Sequence, residues 1–209
     1  MTREEILLVA KPILFNTDMV EGILDCRKTE TRRLIKPPYF VDGDENNPGS
    51  LLVMRTAPKG SKIYRQIGKM PYPDKPYKIG DYLYVRETWS TWTDGYVYKA
   101  WTSPFPQPGR YNDECMTWYP SIHMPKEAAR IFLRVTDVRI ERLQAMTLED
   151  FLSEGVVLRP EAFNDPENAY QQAKRIFIGI WDSTTNELKY KWENSPWVWV
   201  IEFERVIPD

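Results

Sequence analysis

Residues 196–203, Pro-Trp-Val-Trp-Val-Ile-Glu-Phe, are apolar on both faces of an extended chain, and a strand of that pattern belongs in the middle of a sheet with cover on each side. Burying it requires neighbouring strands and something to pack over them. Other β-rich runs supply the neighbours. The run from Tyr82 to Trp89 follows a Gly80-Asp81 turn and sets Leu83, Val85, Glu87 and Trp89 on one face. A carboxylate on that apolar face requires a partner. Residues 130–135 alternate with Ile131, Leu133 and Val135, but apolar positions resume out of phase at Val138 and Ile140. That slip predicts a bulge at Thr136-Asp137. Pro12-Ile13-Leu14-Phe15 and Leu51-Leu52-Val53-Met54 read as brief strands, and Asp94-Gly95 as a hairpin turn into residues 96–100.

Helices between these strands are short. Asn16-Thr17-Asp18 offers caps, with Glu21 completing a capping-box pattern from Asp18, and Met19, Val20, Ile23 and Leu24 form one apolar face. This helix is expected to end near Cys26 or Arg27. Residues 126–129 suit a single helical turn. Thr147-Leu148-Glu149-Asp150 is a second cap signature, closed by Gly155, which puts Glu154 in the last turn, where a carboxylate opposes the helix dipole. Asp165-Pro166 starts a longer helix with Ala169, Ala173, Ile176, Phe177 and Ile180 at helical spacing. Proline and glycine punctuation over 36–80 and a proline-rich stretch at 101–120 break regular structure. Strands mixed with short helices in 209 residues, with no internal repeat and no second boundary, predict one α+β domain over 1–209.

The formal net charge of -2 argues against a protein that coats nucleic acid non-specifically. Local charge is uneven, however. Residues 26–36 carry Arg27, Lys28, Arg32, Arg33 and Lys36 against Glu30 alone, and the compensating acids lie late in the chain. Two cysteines, Cys26 and Cys115, and one histidine, His123, leave too few ligands for a zinc site, so no metal or cofactor is expected. Cys26 and Cys115 suit buried thiols, and His123, like Ser121, suits a structural role. A reduced cytoplasmic protein is the default. Residues 1–10 lack the pattern of a secretory signal, and no 18-residue apolar run exists.

The stretch Cys26-Arg27-Lys28-Thr29-Glu30-Thr31-Arg32-Arg33 concentrates basic and hydroxyl groups. A lysine beside a threonine can activate a hydroxyl that is otherwise a poor nucleophile. The bland alternative is a solvated basic turn. Lys28 and Thr31 converge only if the chain bends between them, because positions i and i+3 of a strand face opposite ways.

Taken in order, the Arg27-Lys28-Thr29-x-Thr31-x-Arg33 run, the Gly80-Asp81 strand, the Thr147-to-Gly155 helix and Val200-Ile201-Glu202-Phe203 resemble an ASCH domain, a branch of the PUA-like β-barrel superfamily. The likeness is closest to longer versions carried by bacteriophages and prophages, which hold similar Pro-Ile-Leu-Phe, Val-Arg-Glu-Thr-Trp and Pro-Ser-Ile-His-Met-Pro stretches. Against the smallest members, residues 37–77 and 101–117 look like insertions. The resemblance implies a small, partly open β-barrel with short helices packed on it and long irregular insertions. It also implies a cleft for RNA, single-stranded nucleic acid or a modified nucleobase. One bacterial branch of the family hydrolyses 4-acetylcytidine with a lysine, a threonine and a glutamate, which fall here on Lys28, Thr31 and Glu154. The chain departs from the pattern at Cys26, where glycine is usual, and at Glu30 and Arg32, where the threonine is usually flanked by apolar residues. In the hydrolase reading Lys28 activates Thr31 and Glu154 shuttles a proton; in the structural alternative Lys28 and Glu154 form an ion pair. In the binding reading Arg32, Arg33, Arg86 and Lys99 meet phosphates, Trp89 or Tyr98 stacks on a base, and Glu87 reads a base amino group or offsets Arg86. A third reading is a phage-type protein-interaction module.

Overall fold

A computed structural model describes residues 1–36, 39–42, 52–56, 69–71, 76–92, 95–100 and 116–209. Cys115, the Asp94 turn position and most of the two expected insertions lie outside these residues. The chain partitions into two compact units interleaved along the sequence. The first comprises Met1–Thr29, Ile79–Thr136 and Phe203–Asp209; the second comprises Glu30–Lys78 and Asp137–Glu202.

The architecture is α+β. Its main sheet is open and mixed, five strands in the order β1-β6-β9-β10-β2, where β1 is Lys11–Leu14, β2 Glu30–Leu34, β6 Tyr82–Arg86, β9 Phe132–Arg142 and β10 Trp197–Val206. β1 and β6 run parallel, and the pairs β6/β9 and β10/β2 run antiparallel. The closing strand does lie inside the sheet, between β9 and β2, with Val198, Val200 and Ile201 fully buried. Smaller sheets join β3 (Tyr39–Asp42), β4 (Leu52–Thr56) and β5 (Lys69–Pro71), and pair β7 (Trp89–Trp92) with β8 (Gly95–Tyr98). β9 is one continuous strand whose buried positions shift from Leu133 and Val135 to Val138. The phase slip is therefore real, and it falls where the chain passes from the first unit to the second.

Four α-helices are described: α1 (Arg3–Val9), α2 (Thr17–Leu24), α3 (Leu148–Ser153) and α4 (Pro166–Ser183). α2 is capped by Asn16, the first of the three offered caps, whose side chain accepts from Met19 N; Asp18 lies inside the helix, so the box pattern with Glu21 is not the one used. α4 is capped by Asp165 and buries Ala169, Ala173, Phe177 and Trp181, while Ile176 and Ile180 stay exposed. Residues 121–123 and 126–128 are single 3₁₀ turns. Ile6, Tyr84, Met124 and Phe132 centre the core of the first unit; Phe151, Phe177, Trp192 and Val200 centre that of the second. Among the described residues no helix is long and apolar enough to cross a membrane.

Candidate functional site

In the second unit, β2 carries the motif residues into the interior. Strand alternation sends Glu30 and Arg32 to one face and Thr31 and Arg33 to the other. Glu30, Thr31 and Arg32 are 3, 1 and 3% exposed. The Arg32 guanidinium is enclosed by carboxylates: Glu30, Asp150 at 3.0 Å, Glu154 at 3.4 Å and Glu141 at 3.5 Å. A second guanidinium, Arg139 of β9, binds Glu202, Glu30 at 2.7 Å and Glu141 at 2.5 Å, and lies 3.4 Å from Asp137. Strand register sets Glu202 directly opposite Glu30. Like charges in that position destabilise a sheet; Arg139, which touches both, offsets the repulsion.

Helix α3 brings the rest. Thr147 and Asp150 form the capping box, with Asp150 Oδ2 accepting from Thr147 N and Oγ1, both at 2.7 Å. Its other oxygen accepts from Arg32, so the cap also orients the guanidinium. At the far end Gly155 adopts φ 96°, and Val156 N bonds back to Phe151 O at 3.1 Å, closing the helix with a glycine turn. This leaves Glu154 as the C-cap, its side chain 6% exposed and directed at Arg32. The carboxylate that opposes the helix dipole thus has a buried cation to meet.

Six carboxylates therefore share Arg32 and Arg139. Burial raises the Glu30 pKa, with Arg32 and Arg139 pulling the other way. Burial also works against the Arg32 charge, but Glu154, Glu30 and Asp150 outweigh it and raise that pKa. Burial pushes Asp150 up, yet hydrogen bonds from Thr147 and the Arg32 charge hold it below the usual carboxylate range. Arg33 is lowered by burial, with Glu154 and Tyr77 opposing. Arg32 was expected to meet phosphate. It cannot do so from this enclosure, because its side chain has no exposed surface and four acids already surround it.

Lys28 belongs to the first unit. α2 ends in a left-handed turn at Cys26, φ 58°, with Cys26 N bonded to Ile23 O at 3.1 Å and Arg27 N to Gly22 O at 2.8 Å. Lys28 N shares the Gly22 carbonyl at 2.9 Å, and a Cβ on Gly22 would stand 3.2 Å from Lys28 Cβ. The turn thereby draws Lys28 inward to 2% exposure, its ammonium 5.7 Å from the Phe15 ring centroid. Cys26 itself is exposed, not buried.

Glu87 closes β6 with no exposed surface, and its partner is Arg130: Nε and Nη2 donate to the two carboxylate oxygens, each at 2.9 Å. Burial raises the Glu87 pKa against that pairing. Arg130 also donates to Ala100 O and lies 4.2 Å over the Tyr98 ring, whose hydroxyl donates to Ala128 O. The cation that offsets Glu87 is therefore Arg130 and not Arg86, which donates to Ile122 O. Trp89 packs between Tyr96 and Tyr119 at 5.7 and 5.1 Å, so the exposed rings here are Tyr96 and Tyr119 rather than Trp89 and Tyr98. Lys99 and His123 are exposed, and Ser121 is half-buried.

The structure thus gathers Thr31, Arg32, Arg33 and Glu154 in the second unit and Lys28, Arg86, Glu87, Trp89 and Lys99 in the first. Arg139 and Arg130 were missed by sequence reasoning. The signal for Arg130 was the lone carboxylate at Glu87, which demanded a cation without naming it. Among the described residues no group of three or more His, Cys, Asp or Glu side chains could hold a metal ion. Comparison with models of protein families, with curated proteins and with solved structures finds no match to the chain.

Proposed function

We propose that this chain is a PUA-like protein of the ASCH type. In this reading it takes a nucleobase, in RNA, in single-stranded nucleic acid or as a modified nucleoside, into a polar interior of the second unit built on residues 30–33 and Glu154. The observation that carries the reading is the burial of Lys28, Glu30, Thr31 and Arg32, at 2, 3, 1 and 3% exposure, in a stretch whose composition suits a solvated turn. Removing ions from water costs several kcal/mol each, and such concentrations of perturbed groups cluster at functional sites. A phosphate-backbone surface would leave Arg32 in solvent. A nucleobase, neutral and edged with donors and acceptors, suits buried carboxylates and guanidiniums better. The order of motifs along the chain supports the family, and the open mixed sheet with short helices suits the barrel that the family implies. A cytoplasmic setting belongs to the same proposal.

The match of Lys28, Thr31 and Glu154 to the family's lysine, threonine and glutamate supports one extension, hydrolysis of an acylated base. In the family's scheme the lysine takes the threonine proton while Oγ attacks the amide carbonyl. Glu154 would protonate the departing amine, and water would then release the acyl group from Thr31. The experiment is incubation with acylated nucleosides, 4-acetylcytidine first, alongside calorimetric binding of the same compounds. Turnover lost in Lys28→Ala, Thr31→Ala and Glu154→Ala establishes the hydrolase, and binding without turnover establishes the base pocket. Neither behaviour for any nucleoside refutes both and leaves the interaction-module reading.

A further inference from the structure

The first unit carries an open groove of about 550 Å³ lined by Arg3, Tyr96, Tyr98, Glu127, Arg130 and Phe132. None of these residues belongs to the 28–33 stretch. Two guanidiniums are held rigidly at its wall. Arg3 spends Nη2 on Glu127 O and on Ala129 O at 3.1 Å. Arg130 spends Nε and Nη2 on Glu87 and Ala100. Their Nη1 groups have no protein partner among the described residues. Tyr96 is 38% exposed and stands edge-on against Trp89 at 5.7 Å, which fixes its ring as a platform. Volume and lining match a ligand of nucleotide size. The charge balance limits it further: Glu87 offsets Arg130, Glu127 faces the same space as Arg3, and Asp209, also in the lining, is offset by the Met1 amino group at 2.6 Å. A run of phosphates would find too little positive charge; one phosphate beside a stacked ring would not.

We infer that this groove is a nucleotide subsite in which one base of a single strand stacks on Tyr96 while Arg3 and Arg130 meet its phosphate. The inference rests on the proposed class of ligand, nucleic acid, but on a separate set of residues.

The test is a fluorescence-anisotropy titration of the full chain with a labelled ten-nucleotide oligouridine at several salt concentrations. Loss of a stacking platform weakens single-strand binding by roughly five- to 150-fold, so Tyr96→Ala should fall in that range while Tyr96→Phe keeps the affinity. Arg3→Ala should flatten the salt dependence by a slope of roughly 0.7, the share of one phosphate on a single strand. A 5-bromouracil strand should photocrosslink to strand β8, Gly95–Tyr98. Affinity and crosslink unchanged in Tyr96→Ala and Arg3→Ala would overturn the inference, as would wild-type protein that binds no strand. Free-nucleoside binding on the same variants separates the two readings. If nucleosides do not bind but strand affinity depends on Tyr96, only the interior pocket fails; if nucleosides bind but strand affinity ignores Tyr96, only the groove fails.

Discussion

Replacing Cys26 by glycine should make this protein more stable, although it deletes a side chain. Cys26 closes α2 at φ 58°, and the two bonds around it, Cys26 N to Ile23 O and Arg27 N to Gly22 O, are those of a turn that glycine ordinarily occupies. A residue with a Cβ is disfavoured in the left-handed region by about 1–2 kcal/mol, whereas glycine adds about 0.5–1 kcal/mol of unfolded-chain freedom. The thiol is exposed, so little packing is lost, and the difference leaves a net gain of about 0.5–1 kcal/mol. For a chain of 209 residues that gain corresponds to a rise in Tm of about 1–4 °C. The assay is reversible unfolding in reductant, followed by tryptophan fluorescence, for wild type, Cys26→Gly and Cys26→Ala. Alanine removes the thiol but keeps the Cβ, so it should bring no gain. A stabilisation of Cys26→Ala equal to that of Cys26→Gly would refute the backbone argument and assign the effect to the thiol. A destabilised Cys26→Gly would show that the turn gains from cysteine something its geometry does not reveal.

Two further predictions concern the buried charges. Glu87→Gln leaves the Arg130 guanidinium against the Tyr98 ring without its carboxylate; because Arg130 retains 28% exposure, the expected loss is about 1–3 kcal/mol in urea unfolding, below the usual figure for a wholly buried pair. Glu87→Leu with Arg130→Met should recover most of that loss, and no recovery would mean the pair does more than satisfy itself. Glu30 has a folded pKa above its unfolded one, so it binds its proton more tightly when folded. Its contribution is fully present below the ordinary glutamate value and is lost as pH rises through the raised pKa. Asp150, shifted downward, acts in the opposite sense and loses its contribution as pH falls below the ordinary aspartate range. The stability of wild type relative to Glu30→Gln should therefore decline as pH rises above about 4.5; a difference that is flat or grows with pH would contradict the assigned direction.

Local signals in the sequence read through to the fold where one element decided the outcome alone. The doubly apolar 196–203 run could only be an inner strand, and Thr147, Asp150 and Gly155 marked both ends of α3 because caps and glycine turns involve neighbours three or four residues away. At α2 the sequence offered a choice of caps and the structure took the first of them. Asn16 and Asp18 are both competent caps, and the choice depended on where β1 released the chain. Ile176 and Ile180 fit the helical period of α4, yet they lie outside the stripe that Ala169, Ala173, Phe177 and Trp181 press inward.

The site was harder to read, because charge counted along the chain differs from charge summed in space. Residues 26–36 carry five basic side chains against one acid, which suggests a basic surface. In the fold, Arg32 meets Glu141, Asp150 and Glu154, whose sequence separations of 109, 118 and 122 residues hide them from any local window. The late acids, which balanced the formal charge only on paper, are the ones that surround the early cation. Arg139 is invisible for the same reason, since its value lies in bridging Glu30 and Glu202 across a strand pair that the sequence does not announce. A motif rich in arginine is thus a poor guide to a phosphate surface when carboxylates elsewhere can reach it. Arg3 and the exposed Tyr96, which line the groove of the first unit, were not singled out in the sequence at all, because no motif surrounds them.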